Sequence, residues 1–93
     1  MDTFLEFVYH PNAADQLDEL INGDLRFEDE ITQYEWILCR EPEKLGKLTI
    51  IAGLAIYIFM TAEKSFGPPR LAVSYQVFRQ DSHIFVLDVR LAP

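Results

Sequence analysis

Two histidines and four of the eight cations are the side chains here whose types suit chemistry. His83 follows the polar stretch Arg79 to Ser82 and opens a strand-like segment, and His10 closes an earlier one. An imidazole with an unperturbed pKa of about 6.5 is a ready general base at neutral pH. A strand end beside a turn is also an ordinary surface place for a histidine. Lys64, Arg70, Arg79 and Arg90 fall at strand ends and turns of the C-terminal half. Gathered near one edge, they form a small anion-binding site for RNA backbone or an acidic partner. Left apart, they are solubilising charge, and specific nucleic-acid faces are usually much more positive.

Other chemistries lack their residues. No His/Cys/acid cluster has metal-ligand spacing, so neither a metal nor another cofactor is expected. Gly67-Pro68-Pro69 is too stiff to cradle a phosphate. Ser65 and Ser74 have no identifiable base partner, which leaves a hydrolase triad without support. Cys39 is the one cysteine, which rules out an internal disulfide and a Cys-rich zinc module. It lies in an apolar helical pattern and reads as a buried structural thiol.

Length and charge bound the rest. Ninety-three residues with 49% hydrophobic and 13% aromatic content predict one globular domain over 1–93. The net charge of −7 is uneven. Residues 1–43 hold 12 acids and 2 bases, and residues 44–93 hold 3 acids and 6 bases. The first half is thus strongly acidic and the second mildly basic, so a weakly basic working face remains compatible with RNA. The segment Met1 to Tyr9 carries two acids and no base, unlike a secretory leader. The longest uncharged stretch, Leu48 to Ala62, is 15 residues, short of the roughly 20 a spanning helix needs. A cytoplasmic protein without a membrane segment is the expectation.

The elements follow from periodicity. Thr3 to Tyr9 reads as a strand with apolar residues on both faces. Asn12 is placed to cap a helix over Ala13 to Asn22, with Ala13, Leu17, Leu20 and Ile21 on one stripe and Gly23 as a left-handed C-cap. Asp24 is placed to cap a second helix, about Leu25 to Glu41, ended by Pro42. Its stripe is Phe27, Ile31, Tyr34 and Leu38, with Ile37 beside it. Glu41 to Lys47 is a polar connection. Gly53 bends the next segment, leaving a main strand of about Leu54 to Glu63. Leu71 to Phe78 alternates, and His83 to Leu91 is the last strand. The predicted fold is a two-layer α+β domain, β-α-α-β-β-β, with a helix hairpin packed on an antiparallel sheet.

This order, with HPNAADQLDEL after a short strand, then GLAIYIF, LAVSYQV and HIFVLDV, resembles the RelE/ParE toxin superfamily over nearly the whole chain. Gly53-Leu54, Val73 to Val77 and Phe85 to Val89 occupy the places of the family's Gly-Leu pair and its last two strands. The resemblance implies a small partner in a toxin–antitoxin pair. The RelE branch cuts messenger RNA in the ribosome, and the ParE branch acts on DNA gyrase. The RNA-cutting members carry Lys and Arg on the open sheet face, often with a Tyr or His near the C-terminus. Here Ile56 and Ile58 stand at the usually basic second-strand positions. Ala72 stands at the third-strand one, with Arg70 two residues earlier. Arg90 falls in the place of the terminal basic cluster, and no His or Tyr follows it.

Two readings follow. In the first, the chain is a toxin-like messenger-RNA endoribonuclease. Arg70, His83 and Arg90 are its catalytic candidates, Lys64, Arg70, Arg79 and Arg90 hold phosphate, and Tyr75 is a second candidate for proton transfer; its partners are a ribosome or mRNA. In the second, the chain is a non-catalytic interaction module of the same fold. Ile56, Ile58 and Met60, on the strand face away from Ala55, Tyr57 and Phe59, bind an antitoxin-like protein or a second copy.

Overall fold

The structure, a computed structural model, describes residues 4–93. Its elements run β1 (Glu6–Tyr9), α1 (Pro11–Gly23), α2 (Arg26–Leu38), α3 (Pro42–Leu45), β2 (Lys47–Ile51), β3 (Leu54–Met60), β4 (Leu71–Phe78) and β5 (His83–Leu91). The α+β class and the helix hairpin are as expected. Thr3, expected to begin the first strand, lies outside the described residues.

The local starts and stops differ in detail. His10 caps α1 in place of Asn12: its Nδ1 accepts from the Asn12 backbone N–H at 3.1 Å, and Pro11 occupies the first helical position. Proline suits that place because its missing donor has no helical acceptor there. Gly23 stays within the helix, and the end is closed by the Asp24 N–H bonding Leu20 O at 2.9 Å. The Asp24 carboxylate accepts from the Arg26 backbone N–H at 3.0 Å, so it caps α2 from one residue outside the helical turn. Helix α2 stops at Leu38 rather than Glu41, and Pro42 starts the separate turn α3.

The expected bend at Gly53 is a full hairpin, which adds a strand. Ala52 and Gly53 have φ of 51° and 79°, the two positive values of a type I′ turn, whose twist matches paired strands. Strands β2 and β3 therefore pair antiparallel from Ile51↔Leu54 to Lys47↔Ile58. The five-stranded sheet has the order β1-β5-β4-β3-β2. It is mixed and not wholly antiparallel, because β1 runs parallel to β5, with Glu6↔His83 through Tyr9↔Val86. The helical crossover returns the chain to the far edge, and the meander then brings β5 back alongside β1 in the same direction.

The core lies between the helices and one sheet face. Phe27, Ile31, Tyr34 and Leu38 of α2 are buried with Leu71, Val73 and Tyr75 of β4 and Ile84, Val86 and Val89 of β5. Ile37, expected beside that stripe, is half exposed. A register shift at Ser74/Tyr75 sets Ser74 opposite Asp88 but Tyr75 opposite Val86. The extra residue is Leu87, and this bulge lets both Val86 and Val89 enter the core.

Candidate functional site

Strand parity divides the sheet into two surfaces. Tyr57 and Phe59 of β3 pack against the core, so Ile56, Ile58 and Met60 point to the face that the helices leave open. Ile56 is only 9% exposed, Ile58 is intermediate and Met60 is 45% exposed. Ile58 lies opposite Ser74, which lies opposite Asp88; Met60 lies opposite Ala72, which lies opposite Arg90. These residues, with Pro93, line a shallow depression of about 420 Å³. Its floor is aliphatic, and its charged rim is the Arg90–Asp88 pair.

That pair is tight. Arg90 Nε donates to Asp88 Oδ2 at 2.5 Å and Nη2 to Oδ1 at 2.9 Å. Gln16 of α1 also donates to Asp88 Oδ1 at 2.8 Å, while its own Oε1 accepts from the Val89 N–H. Gln16 thereby satisfies a β5 backbone group beyond the end of short β1. Hydrogen bonds from Arg90, then from Gln16, hold the Asp88 carboxyl below the usual carboxylate range. Arg90 is consequently a charge already balanced at close range.

The other expected phosphate ligands are engaged elsewhere. Lys64 Nζ reaches Glu30 Oε2 at 2.9 Å and Gln33 Oε1 at 2.7 Å, binding the loop after β3 to α2. Arg79 forms a fork on Glu43 of α3, at 2.9 and 2.7 Å, and also donates to Arg40 O. The Arg79 fork holds the Glu43 carboxyl below its ordinary value. Arg70 Nε donates to Thr61 O at 2.9 Å. Arg70 alone stays near Arg90, since the Ala92 N–H bonds Arg70 O and Ala72 faces Arg90.

The proton-transfer candidates do not join them. His83 faces Phe78, ring centroids 5.1 Å apart, at the opposite end of β5 from Arg90. Seven residues of strand set the two roughly 20 Å apart, so Arg70, His83 and Arg90 do not converge on one scissile bond. His10 caps α1 and packs its ring against Phe85. Tyr75 is buried on the helical side and donates to Pro42 O at 2.6 Å. Its hydroxyl is pushed above its ordinary pKa, chiefly by burial. It has no access to the open face.

Periodicity missed the acids that claim these cations. Arg79 and Glu43 are 36 residues apart and Lys64 and Glu30 are 34 apart, so only the fold joins them. The Asp88–Arg90 spacing of two within one strand was the readable signal, since it puts both side chains on one side. Among the described residues, no group of three His, Cys, Asp or Glu is placed to hold a metal, and no helix is long and apolar enough to cross a membrane. In comparisons with known proteins, no family model, curated protein or solved structure matches the chain.

Proposed function

We propose that this chain is a RelE/ParE-like, toxin-type component of a toxin–antitoxin pair that works by binding a protein partner on its open sheet face, not by cutting RNA. The observation that carries this reading is the depression around Ile58 and Met60. Its centre is aliphatic, and its rim cation is neutralised by Asp88. Apolar floors with polar rims suit protein side chains. RNA cleavage needs unpaired cations for the phosphorane charge and a nearby group to take the 2′-hydroxyl proton. The order strand, helix hairpin, meander supports the family assignment, and an antitoxin-like protein is the partner it implies.

One observation favours the nuclease alternative. Arg70 and Arg90 sit on adjacent strand ends beside the same face, where a backbone phosphate could bridge them. Induced expression in bacteria of the wild type and of Arg70→Ala separates the readings. The binding-module reading expects messenger RNA to stay intact with both proteins. Messenger-RNA cleavage by the wild type that disappears in Arg70→Ala would establish the nuclease.

A further inference from the structure

The outer edge of β2 is the sheet's one long open edge on the hairpin side. Among the described residues, no strand pairs with it. Its residues are Lys-Leu-Thr-Ile-Ile, and Leu48, Ile50 and Ile51 are each at least half exposed. Natural edges are blunted by prolines, bulges or several charges. This one has a single lysine.

The turn fixes which backbone groups face outward. In a two-residue type I′ hairpin, the closing pair exchanges both ladder hydrogen bonds, and pairs then alternate along the strands. The closing pair is Ile51↔Leu54, so Thr49 and Lys47 also bond inward to β3. Leu48 and Ile50 therefore turn their N–H and C=O groups outward. Their side chains share the helical face with Tyr57, the residue opposite Leu48.

From this pattern we infer that β2 pairs with the β2 of a second copy of this chain, antiparallel, about a two-fold axis through Thr49. In that register, Leu48 faces Ile50 of the second copy in a hydrogen-bonded pair, and Ile50 faces its Leu48 in another. Every outward backbone group of Leu48 and Ile50 is satisfied. Thr49 meets its own symmetry mate in a non-hydrogen-bonded pair, where opposed threonines interact favourably. Leu48 and Ile50 of the two copies form one apolar cluster. The two sheets become one continuous sheet with both helical layers on the same side.

Carboxylate repulsion does not oppose a second copy at this edge, and the symmetric placement of Leu48 and Ile50 about Thr49 suits one. Each chain carries −7, which opposes association through most of its surface. From Lys44 to Ala62 there is no acidic residue. The hairpin is thus a stretch where two such chains approach without opposing carboxylates. Lys47 and the Lys47 of the second copy are four strand steps apart along the shared edge, roughly 14 Å, beyond a Debye length at physiological salt. The edge differs from the open-face depression, so this pairing stands or falls independently of the proposed partner site.

Sedimentation of the purified chain between roughly 5 and 500 µM tests the inference, with Ile50→Lys as the variant and far-UV circular dichroism as the check on folding. The wild type should form a dimer, and Ile50→Lys should raise its dissociation constant at least about tenfold. A wild-type monomer throughout, or a folded Ile50→Lys that dimerises equally well, overturns it. Thr49→Cys tests the register without a folding risk. Facing Cα atoms in a non-hydrogen-bonded pair are about 4.5 Å apart, within disulfide range. Mild oxidation should cross-link Thr49→Cys chains and leave Lys47→Cys chains single. No cross-link at position 49, or equal cross-linking at both, overturns the register.

Discussion

The Tyr75 hydroxyl donates to the Pro42 carbonyl across 33 residues of sequence, at 2.6 Å, inside the core. This bond fixes the short α3 turn over the sheet and so sets where β2 begins. Gly46 completes the arrangement. A Cβ at that position would overlap the Tyr75 hydroxyl and lie 3.0 Å from Tyr57 Cβ. Tyr57 and Tyr75 stack with ring centroids 5.8 Å apart, which leaves neither ring free to yield. Tyr75→Phe should cost about 1–3 kcal/mol, because the Pro42 carbonyl loses its buried donor. Gly46→Ala should cost at least as much through overpacking, about 1–3 kcal/mol. Urea denaturation of the variants measures both, and an unchanged midpoint for Tyr75→Phe would contradict the assigned role.

Ala52 carries the opposite kind of defect. It holds a φ of 51° in the β2–β3 turn, a left-handed conformation that crowds a Cβ against the following carbonyl. Ala52→Gly should therefore stabilise the protein by about 0.5–1 kcal/mol, the net of relieved strain and added unfolded-state entropy. A thermal melt reads the gain. A loss of stability would show that Ala52 is relaxed in that turn.

Lys64 is best explained as a structural cation. The Glu30 side chain is 6% exposed, and Lys64 is the cation that reaches it. Lys64→Met strands a buried carboxylate and should destabilise by about 1–3 kcal/mol, below the cost of breaking a fully buried pair because Lys64 itself is partly in water. Glu30→Gln combined with Lys64→Met should recover much of that loss, since both charges then go. A double-mutant cycle by urea denaturation measures the coupling. Additive effects would contradict the pairing.

Acid should loosen two ion pairs, one within β5 and one between α3 and the turn after β4. Asp88 and Glu43 are held below their ordinary pKa by Arg90 and Arg79. A carboxyl depressed in the folded state stabilises above its unfolded value, near 4, and that contribution disappears as pH falls through the lower folded value. The wild type should therefore melt higher than Glu43→Gln or Asp88→Asn at about pH 7, and the gap should close towards about pH 2. Calorimetry at the two pH values reads it. A gap that widens in acid would reverse the assigned sign.

Much of this fold is written in local pattern. The stripe Phe27, Ile31, Tyr34, Leu38 reports a helix buried on one side, and the alternation of Leu71, Val73, Tyr75 and Val77 reports the central strand. The β2–β3 hairpin was illegible because Ala52 is not a residue that announces a positive φ. The bulge at Leu87 depends on how β4 and β5 register against each other, which neither strand encodes alone. The parallel seat of β1 beside β5 is likewise a property of the whole chain. The apolar face of Ile56, Ile58 and Met60 was readable from parity. Asp88, two residues from Arg90 in one strand, was readable too; the acids that occupy Arg79 and Lys64 were not, and together the three turn an apparent basic cluster into separate ion pairs.

The central claim is that the Ile58 depression, and not the nearby arginines, makes the working contact. Calorimetric titration with a small antitoxin-like protein, where an adjacent reading frame encodes one, tests it most directly. Ile58→Glu places an unpaired charge on the apolar floor and should weaken binding at least about tenfold, while Arg70→Ala should change it by less than about threefold. Full affinity in a folded Ile58→Glu, or a loss confined to Arg70→Ala, would contradict the account.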